Sequence, residues 1–222
     1  MNFSDVLASS VHDIKNALSM VTNTLDELVC DPSTGLADNP KVARLEMETQ
    51  RVNNNLIQLL VLYKSENKQL SINIDEHNVD DFISDVVVEF ERLANAQGIT
   101  LESECDPFLS AYFDEDLMRG VLSNAISNAQ RYTKDKILIS ADEVDGHIVL
   151  RVEDNGSGYP ESMLEIQAAT PNPNNFGDGH TQLGLYFSNL VASLHKNNDK
   201  QGFIRLENRV NLDGGCLSVW IP

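Results

Sequence analysis

Basic residues are scarce in this sequence: 16 Lys and Arg stand against 34 Asp and Glu, a formal net charge of −18 over 222 residues. Such a surface repels nucleic acid and anionic lipid, so neither is expected as a direct partner. A nucleotide is not excluded, because backbone amides and a divalent cation act locally against the distant field. Long apolar runs are also missing. No stretch of about 18 apolar residues occurs, so no membrane insertion by a spanning helix is expected. Met1–Asp5 lacks the basic region of a secretory leader and runs straight into an amphipathic pattern. The three cysteines, Cys30, Cys105 and Cys216, are odd in number and far apart, with no CxxC or Cys/His cluster. That fits reduced thiols in a cytoplasmic protein and offers no metal framework. What remains is ordinary for a globular chain, with 41% hydrophobic and 23% charged residues, and the length suffices for one large domain or two small ones.

Two periods divide the chain. In the first part Phe3, Leu7, Val11, Ile14, Leu18, Val21, Leu25 and Leu28 recur at steps of three and four, the seam spacing of a helix packed along other helices. Asp31-Pro32-Ser33-Thr34-Gly35 breaks the helix, and Asn39-Pro40 reads as an N-cap followed by proline at the first helical position. Val42, Leu45, Val52, Leu56, Leu59 and Tyr63, with Thr49 in the seam, then make a second helix. The expectation for residues 1–67 is an antiparallel helical hairpin that buries its outer stripe by pairing with a second copy in a four-helix bundle.

From about Gln69 strand-like segments appear at Leu70–Ile74, Ile99–Glu102, Leu109–Phe113, Ile137–Ala141, His147–Val152, Phe203–Asn208 and Cys216–Ile221. Helices are predicted over Val79–Gln97, ended by Gly98, after an N-cap at Asp114, and over Leu183–Leu194. Asp145-Gly146 and Asp213-Gly214 are hairpin-turn signals. Gly156–Thr181, rich in Gly, Pro and Asn, reads as a long mobile loop of the kind that serves as a lid. Residues 68–222 are therefore α+β.

Three clusters could carry chemistry. His12-Asp13-Ile14-Lys15-Asn16 lies beside the first seam, where Asp13 can accept from one ring nitrogen of His12 and leave the other as a nucleophile, with Asn16 one turn on. A His-Asp pair is equally what a solvated helix face carries. Asn124, Asn128 and Arg131 step by four and three along the helix after Asp114, beside Tyr132. Asn oxygens suit Mg2+ and a guanidinium suits phosphate, although a plain polar stripe would look the same. Asp154-Asn155-Gly156-Ser157-Gly158 follows a strand, so its carboxylate can accept from an exocyclic amine while the glycines permit close backbone approach. Later, Gly179-His180-Thr181-Gln182-Leu183-Gly184-Leu185 opens a helix whose N-terminal amides could hold a phosphate. Each motif is weak alone; their order and spacing carry the case.

That arrangement resembles the two-component sensor histidine kinases over essentially the whole chain. His12 to Asn16 is similar to their phosphoacceptor motif, Asn124 to Thr133 to their asparagine box, and Asp154 to Gly158 to their first glycine box. Thr181, Leu183, Gly184 and Leu185 match part of the later glycine box. The resemblance implies a dimerisation and phosphotransfer hairpin over 1–67, and over 68–222 an α/β sandwich with a mixed sheet that binds ATP as in gyrase, Hsp90 and MutL. It implies an adenine amine on Asp154, nucleotide contacts at Gly156, Gly158 and Tyr132, Mg2+ held by Asn128, and phosphates met by Asn124, Arg131 and the segment Thr181–Gly184. His12 would take the γ-phosphoryl group, with Asp13 accepting the other ring proton. The group would then pass to an aspartate on a response regulator receiver domain, and Asn16 would orient a water for phosphatase chemistry. Because His12 stands so near Met1, the expectation is either a stimulus that arrives through a separate sensor protein or a fragment from which a sensor domain has been cut. Gln182 and His180 replace glycines common in the later box, and Ala17 replaces a proline common after the acceptor motif. These departures leave open an ATP-independent histidine phosphotransferase of the same shape, or a dimer that only docks a regulator.

Overall fold

In a computed structural model of the chain, residues 3–31, 33–36, 39–168 and 181–222 are described. The side chains of 3–12, 15, 26, 30, 40, 165–168, 181 and 182 lie outside the described residues. The chain divides into two compact units, Met1–Leu70 and Ser71–Pro222.

The first unit is a hairpin of α1 (Phe3–Cys30) and α2 (Pro40–Glu66). Its second helix starts as the sequence predicts: the Asn39 side chain accepts from Lys41 N at 3.0 Å, and Pro40 occupies the first turn, where its missing N–H leaves no partner wanting. The seam, however, is split. Val29, Ala43 and Val61 are buried together with the polar Glu46, Thr49 and Gln58. By contrast Ile14, Val21 and Leu28 of α1, and Leu45, Val52 and Leu59 of α2, remain between 40% and 51% exposed. Both sets repeat every seven residues. An apolar stripe of each helix therefore lies outside the hairpin, and the inward face of α2 is partly polar.

The second unit starts with β1 (Asp75–Asn78), which pairs antiparallel with β3 (Ser110–Phe113). The segment Leu70–Ile74, expected as a strand, is not one. Asn73 N donates to the Asp114 carboxylate at 2.8 Å instead of to a strand partner, and the strand begins five residues later. The main sheet has the order β2-β4-β5-β9-β8, formed by β2 (Thr100–Cys105), β4 (Lys136–Val144), β5 (His147–Asp154), β9 (Gly215–Ile221) and β8 (Phe203–Asn208). The β2–β4 pair is parallel and the other pairs are antiparallel, so the sheet is mixed. Ile139, Val152, Leu217 and Leu206 sit opposite one another across four strands, and all are buried. Over this face lie α3 (Val79–Ala96) on β2 and β4, α4 (Glu115–Tyr132) on β4 and β5, and α6 (Thr181–Leu194) on β8 and β9. An α/β sandwich results.

Local signals explain most boundaries. The Asp114 carboxylate caps α4 by accepting from Leu117 N at 3.0 Å. Gly98, at φ +74°, ends α3 in the left-handed region. Asp145 (φ +52°) and Gly146 (φ +67°) make the tight turn between β4 and β5, the backbone that a two-residue hairpin loop demands. Asp213-Gly214 does not form such a turn: residues 209–214 make a six-residue connection from β8 to β9. The stretch Gly156–Thr181 is not all loop either, since α5 (Glu161–Ala168) lies within it. A two-stranded hairpin of β6 (Lys196–Asn197) and β7 (Lys200–Gln201) follows α6.

His195 joins the end of α6 to the start of α4. Its Nε2 accepts from Asp114 N at 3.0 Å, and its Nδ1 lies 2.8 Å from Val191 O, the geometry of a neutral ring protonated at Nδ1. Burial lowers its pKa below the usual 6.5. The unfolded chain therefore binds the proton first as pH falls, so His195 supports the fold above about pH 6.5 and withdraws that support in acid. We expect the melting temperature to drop between pH 7.5 and pH 5, and His195→Gln to reduce that drop. Thermal melts at both pH values check this; an unchanged slope in the variant would refute it.

Candidate nucleotide site

The site forms where β5 ends under α4. The strand runs two residues beyond its predicted end, and its register places Asp154 opposite Ile137. Because Ile137 and Ile139 share a face, Asp154 points to the helix-covered side of the sheet and is only 7% exposed. One carboxylate oxygen accepts from Gly156 N at 2.7 Å, and Gly215 N–H also donates to the group. Burial outweighs these donors and raises the Asp154 pKa above its ordinary value.

Glycines build the walls. A Cβ on Gly156 would lie 1.9 Å from Tyr132 O, so the loop after β5 passes directly over the end of α4. A Cβ on Gly214 would meet the Asp154 carboxylate at 2.4 Å, and one on Gly215 would strike the Tyr159 ring at 2.9 Å. Tyr159 is buried enough to push its phenol pKa upward. Gly158 (φ +77°) faces elsewhere: a Cβ there would meet Asn208, whose side chain also grips the Tyr159 backbone at 2.7 and 2.9 Å. Gly158 thus anchors the loop to β8, outside the wall around the carboxylate.

The polar row on α4 runs from inside to outside. Asn124 is buried, Asn128 half-buried, and Arg131 and Tyr132 are exposed. A Cβ on Gly184 would sit 2.3 Å from the Asn124 amide oxygen, so α6 crosses α4 at closest approach on this pair, with the half-buried Leu183 beside it. The loop after Asp154 thus meets α4 at Tyr132, and the first turn of α6 meets the same helix at Asn124. Thr181 opens α6, but its side chain and that of Gln182 lie outside the described residues, as do Gly179 and His180. In the hairpin, Asp13 and Asn16 are exposed on α1, and the His12 side chain lies outside the described residues.

Sequence reading missed Gly214, Gly215, Tyr159 and Asn155. The only signal for the first two was Asp213-Gly214-Gly215, which reads as a turn; that it folds back onto Asp154, with Gly214 N donating to Asp154 O at 3.0 Å, is a tertiary contact.

A carboxylate under a helix layer, a cradle of glycines and a row of amides describe a nucleotide-binding sandwich, and residues 113–222 match the family of histidine kinase-, DNA gyrase B- and HSP90-like ATPases. The sensor protein SrrB of Staphylococcus aureus is 25% identical over 207 residues, in an alignment that covers 86% of this chain and 34% of SrrB. The chain thus spans about a third of the length of the curated relatives it matches. The nucleotide-free catalytic domain of histidine kinase ThkA superposes with a TM-score of 0.54 at 26% identity, covering 68% of this chain and 95% of that one. Full-length ShkA, solved in complex with AMPPNP, shares the fold with a TM-score of 0.64 at 18% identity, over 98% of this chain and 45% of ShkA. The chain therefore carries a domain of this ATPase family and is homologous to the sensor histidine kinases.

Proposed function

We propose that the protein is a histidine kinase that phosphorylates His12 from Mg-ATP and passes the phosphoryl group to an aspartate of a response regulator receiver domain. The observation that carries the reading is the buried, glycine-walled carboxylate of Asp154, followed by a loop that passes over the end of α4, the helix that carries Asn124 and Asn128. A carboxylate with two main-chain donors keeps acceptor capacity for an amine such as that of adenine. The residues present fit Mg-ATP. Asp154 reads the base, Gly156, Gly214 and Gly215 leave room beside it, and Asn124 with Arg131 and the N-terminal amides of α6 meet the phosphates. Asn128 would hold Mg2+, which when bound neutralises charge on the phosphates.

The chain's own part in transfer is positioning. A ring nitrogen of His12 attacks the γ-phosphorus in line, the N–P bond forms as the bond to the ADP oxygen breaks, and Asp13 accepts the proton on the other ring nitrogen. Asn16, one turn further on, is placed to orient a water for the reverse task of regulator dephosphorylation. The exposed seven-residue stripes of α1 and α2 support a homodimer, because a second hairpin would bury Ile14, Val21, Leu28, Leu45, Val52 and Leu59 in a four-helix bundle. No helix among the described residues is long and apolar enough to cross a membrane.

The test supplies γ-labelled ATP with Mg2+ to the purified chain and follows acid-labile label on the protein. Label that is lost in His12→Gln, on a chain that sediments as a dimer, is the expected result. Label that survives that substitution would overturn His12 as the acceptor, and a chain that takes no label from ATP but is labelled at His12 when a phosphorylated regulator is added would replace the kinase by a phosphotransferase.

A further inference from the structure

The Asn155 side chain, in the loop after β5, is held in the turn between α4 and β4. Its Oδ1 lies 2.9 Å from the Thr133 hydroxyl and accepts from three consecutive main-chain N–H groups, those of Lys134 (3.1 Å), Asp135 (3.2 Å) and Lys136 (3.2 Å). Its Nδ2 donates to the Asp135 carboxylate at 2.7 Å, which also assigns the amide orientation. Its own N–H donates to Lys136 O at 3.2 Å. One amide therefore fills the concave turn that ends α4 and starts β4, a turn whose converging N–H groups form a nest for an acceptor.

We propose that Asn155 is a positioning residue for nucleotide recognition, setting the distance between the base-reading carboxylate of Asp154 and the helix that carries Asn124 and Asn128. The inference rests on the nucleotide reading above. Asp154 and Gly156 flank Asn155 in the chain, and Gly156 lies directly on Tyr132 O, so the loop has no slack there. The two halves of the site come from different elements, β5 and α4. The Asn155 side chain is the clasp between them. With an alanine, the Lys134 and Asp135 N–H groups face a position that water must fill, Lys136 N–H keeps only the Thr133 hydroxyl at 3.3 Å, and the loop carrying Asp154 loses its side-chain hold on the turn. A site that relies on pre-organisation loses affinity when that hold slackens, even though Asn155 itself touches no ligand.

The chemistry of the clasp supplies its own control. Asn155→Asp keeps the acceptor for the nest but sets a carboxylate against Asp135, whereas Asn155→Asp with Asp135→Asn exchanges donor and acceptor and restores the pair. Dissociation constants for Mg-ATP and Mg-GTP are measured at 10 °C, where circular dichroism verifies that every variant is folded. Expected are a preference of the parent chain for ATP, about tenfold weaker ATP binding in Asn155→Ala with that preference narrowed, and recovery to within about threefold in the double variant. If Asn155→Ala binds ATP as the parent does, with a lower melting temperature only, the residue is merely structural and the inference fails while the nucleotide reading stands. If the parent chain binds no ATP, both fall.

Discussion

Asp154→Asn is expected to weaken Mg-ATP binding by about 10- to 100-fold, the loss of one charge-assisted hydrogen bond in a buried site. An asparagine can still accept from Gly156 N through its oxygen, but its NH2 then faces the amine of the base, donor against donor. The same substitution should not lower the stability of the nucleotide-free domain. Burial raises the Asp154 pKa in the folded protein, so relative to a neutral side chain the ionised carboxylate opposes folding, and does so more as pH rises above its unfolded pKa. A neutral amide removes that cost. Calorimetry and a thermal melt at pH 7.5 together check the pair: weak binding with an unchanged or higher melting temperature. Tight ATP binding by the variant would show that the base is read elsewhere.

Gly156→Ala should be the most damaging single methyl group in the second unit. The added carbon would lie 1.9 Å from Tyr132 O and 2.7 Å from its carbonyl carbon, both main-chain atoms that cannot rotate aside. Either the end of α4 or the loop after β5 must move, an overpacking cost of about 1–3 kcal/mol. At about 2–4 °C per kcal/mol for a domain of this size, the melting temperature falls by several degrees and nucleotide binding goes with it. Gly120→Ala is the control. Its Cβ would meet only the tip of the Phe187 ring at 3.2 Å, and a helical Gly-to-Ala change itself favours folding by up to about 1 kcal/mol, so it should be near neutral. Equal melting temperatures for the two variants would contradict the tight passage at Gly156.

Much of the fold is written in short-range signals. The Asn39 and Asp114 caps, the Asp145-Gly146 turn and the strand Phe203–Asn208 are found where local chemistry places them, because each depends on neighbours within four residues or on a period of two. Reading failed where a distant partner decides. Asp75–Asn78 is a strand of four polar residues with no apolar alternation, and it exists because Ser110–Phe113 offers its backbone. The more strand-like Leu70–Ile74 has no such partner. The helix α5 was hidden by the glycine and proline content on either side of it. In the first hairpin the seam residues were visible, but which of them face inward was not, since Leu45 and Glu46 are separated by one step of the helix and only packing against α1 selects Glu46.

The sequence by itself therefore determined the two-part organisation, the α+β character of the second part and the carboxylate, amide and glycine groups of the candidate site. The first two follow from periodicity, and the site groups from the order and spacing of motifs that are each common on their own. Only the tertiary structure decided how the site is closed. It brings Gly214 from the β8–β9 connection and Gly215 from the start of β9 onto Asp154, turns Asn155 into the clasp of the α4–β4 turn, and sends Gly158 to β8 instead. The reason is physical: a glycine reports in sequence only that a side chain is absent, whereas what would have met that side chain depends on which strands lie side by side.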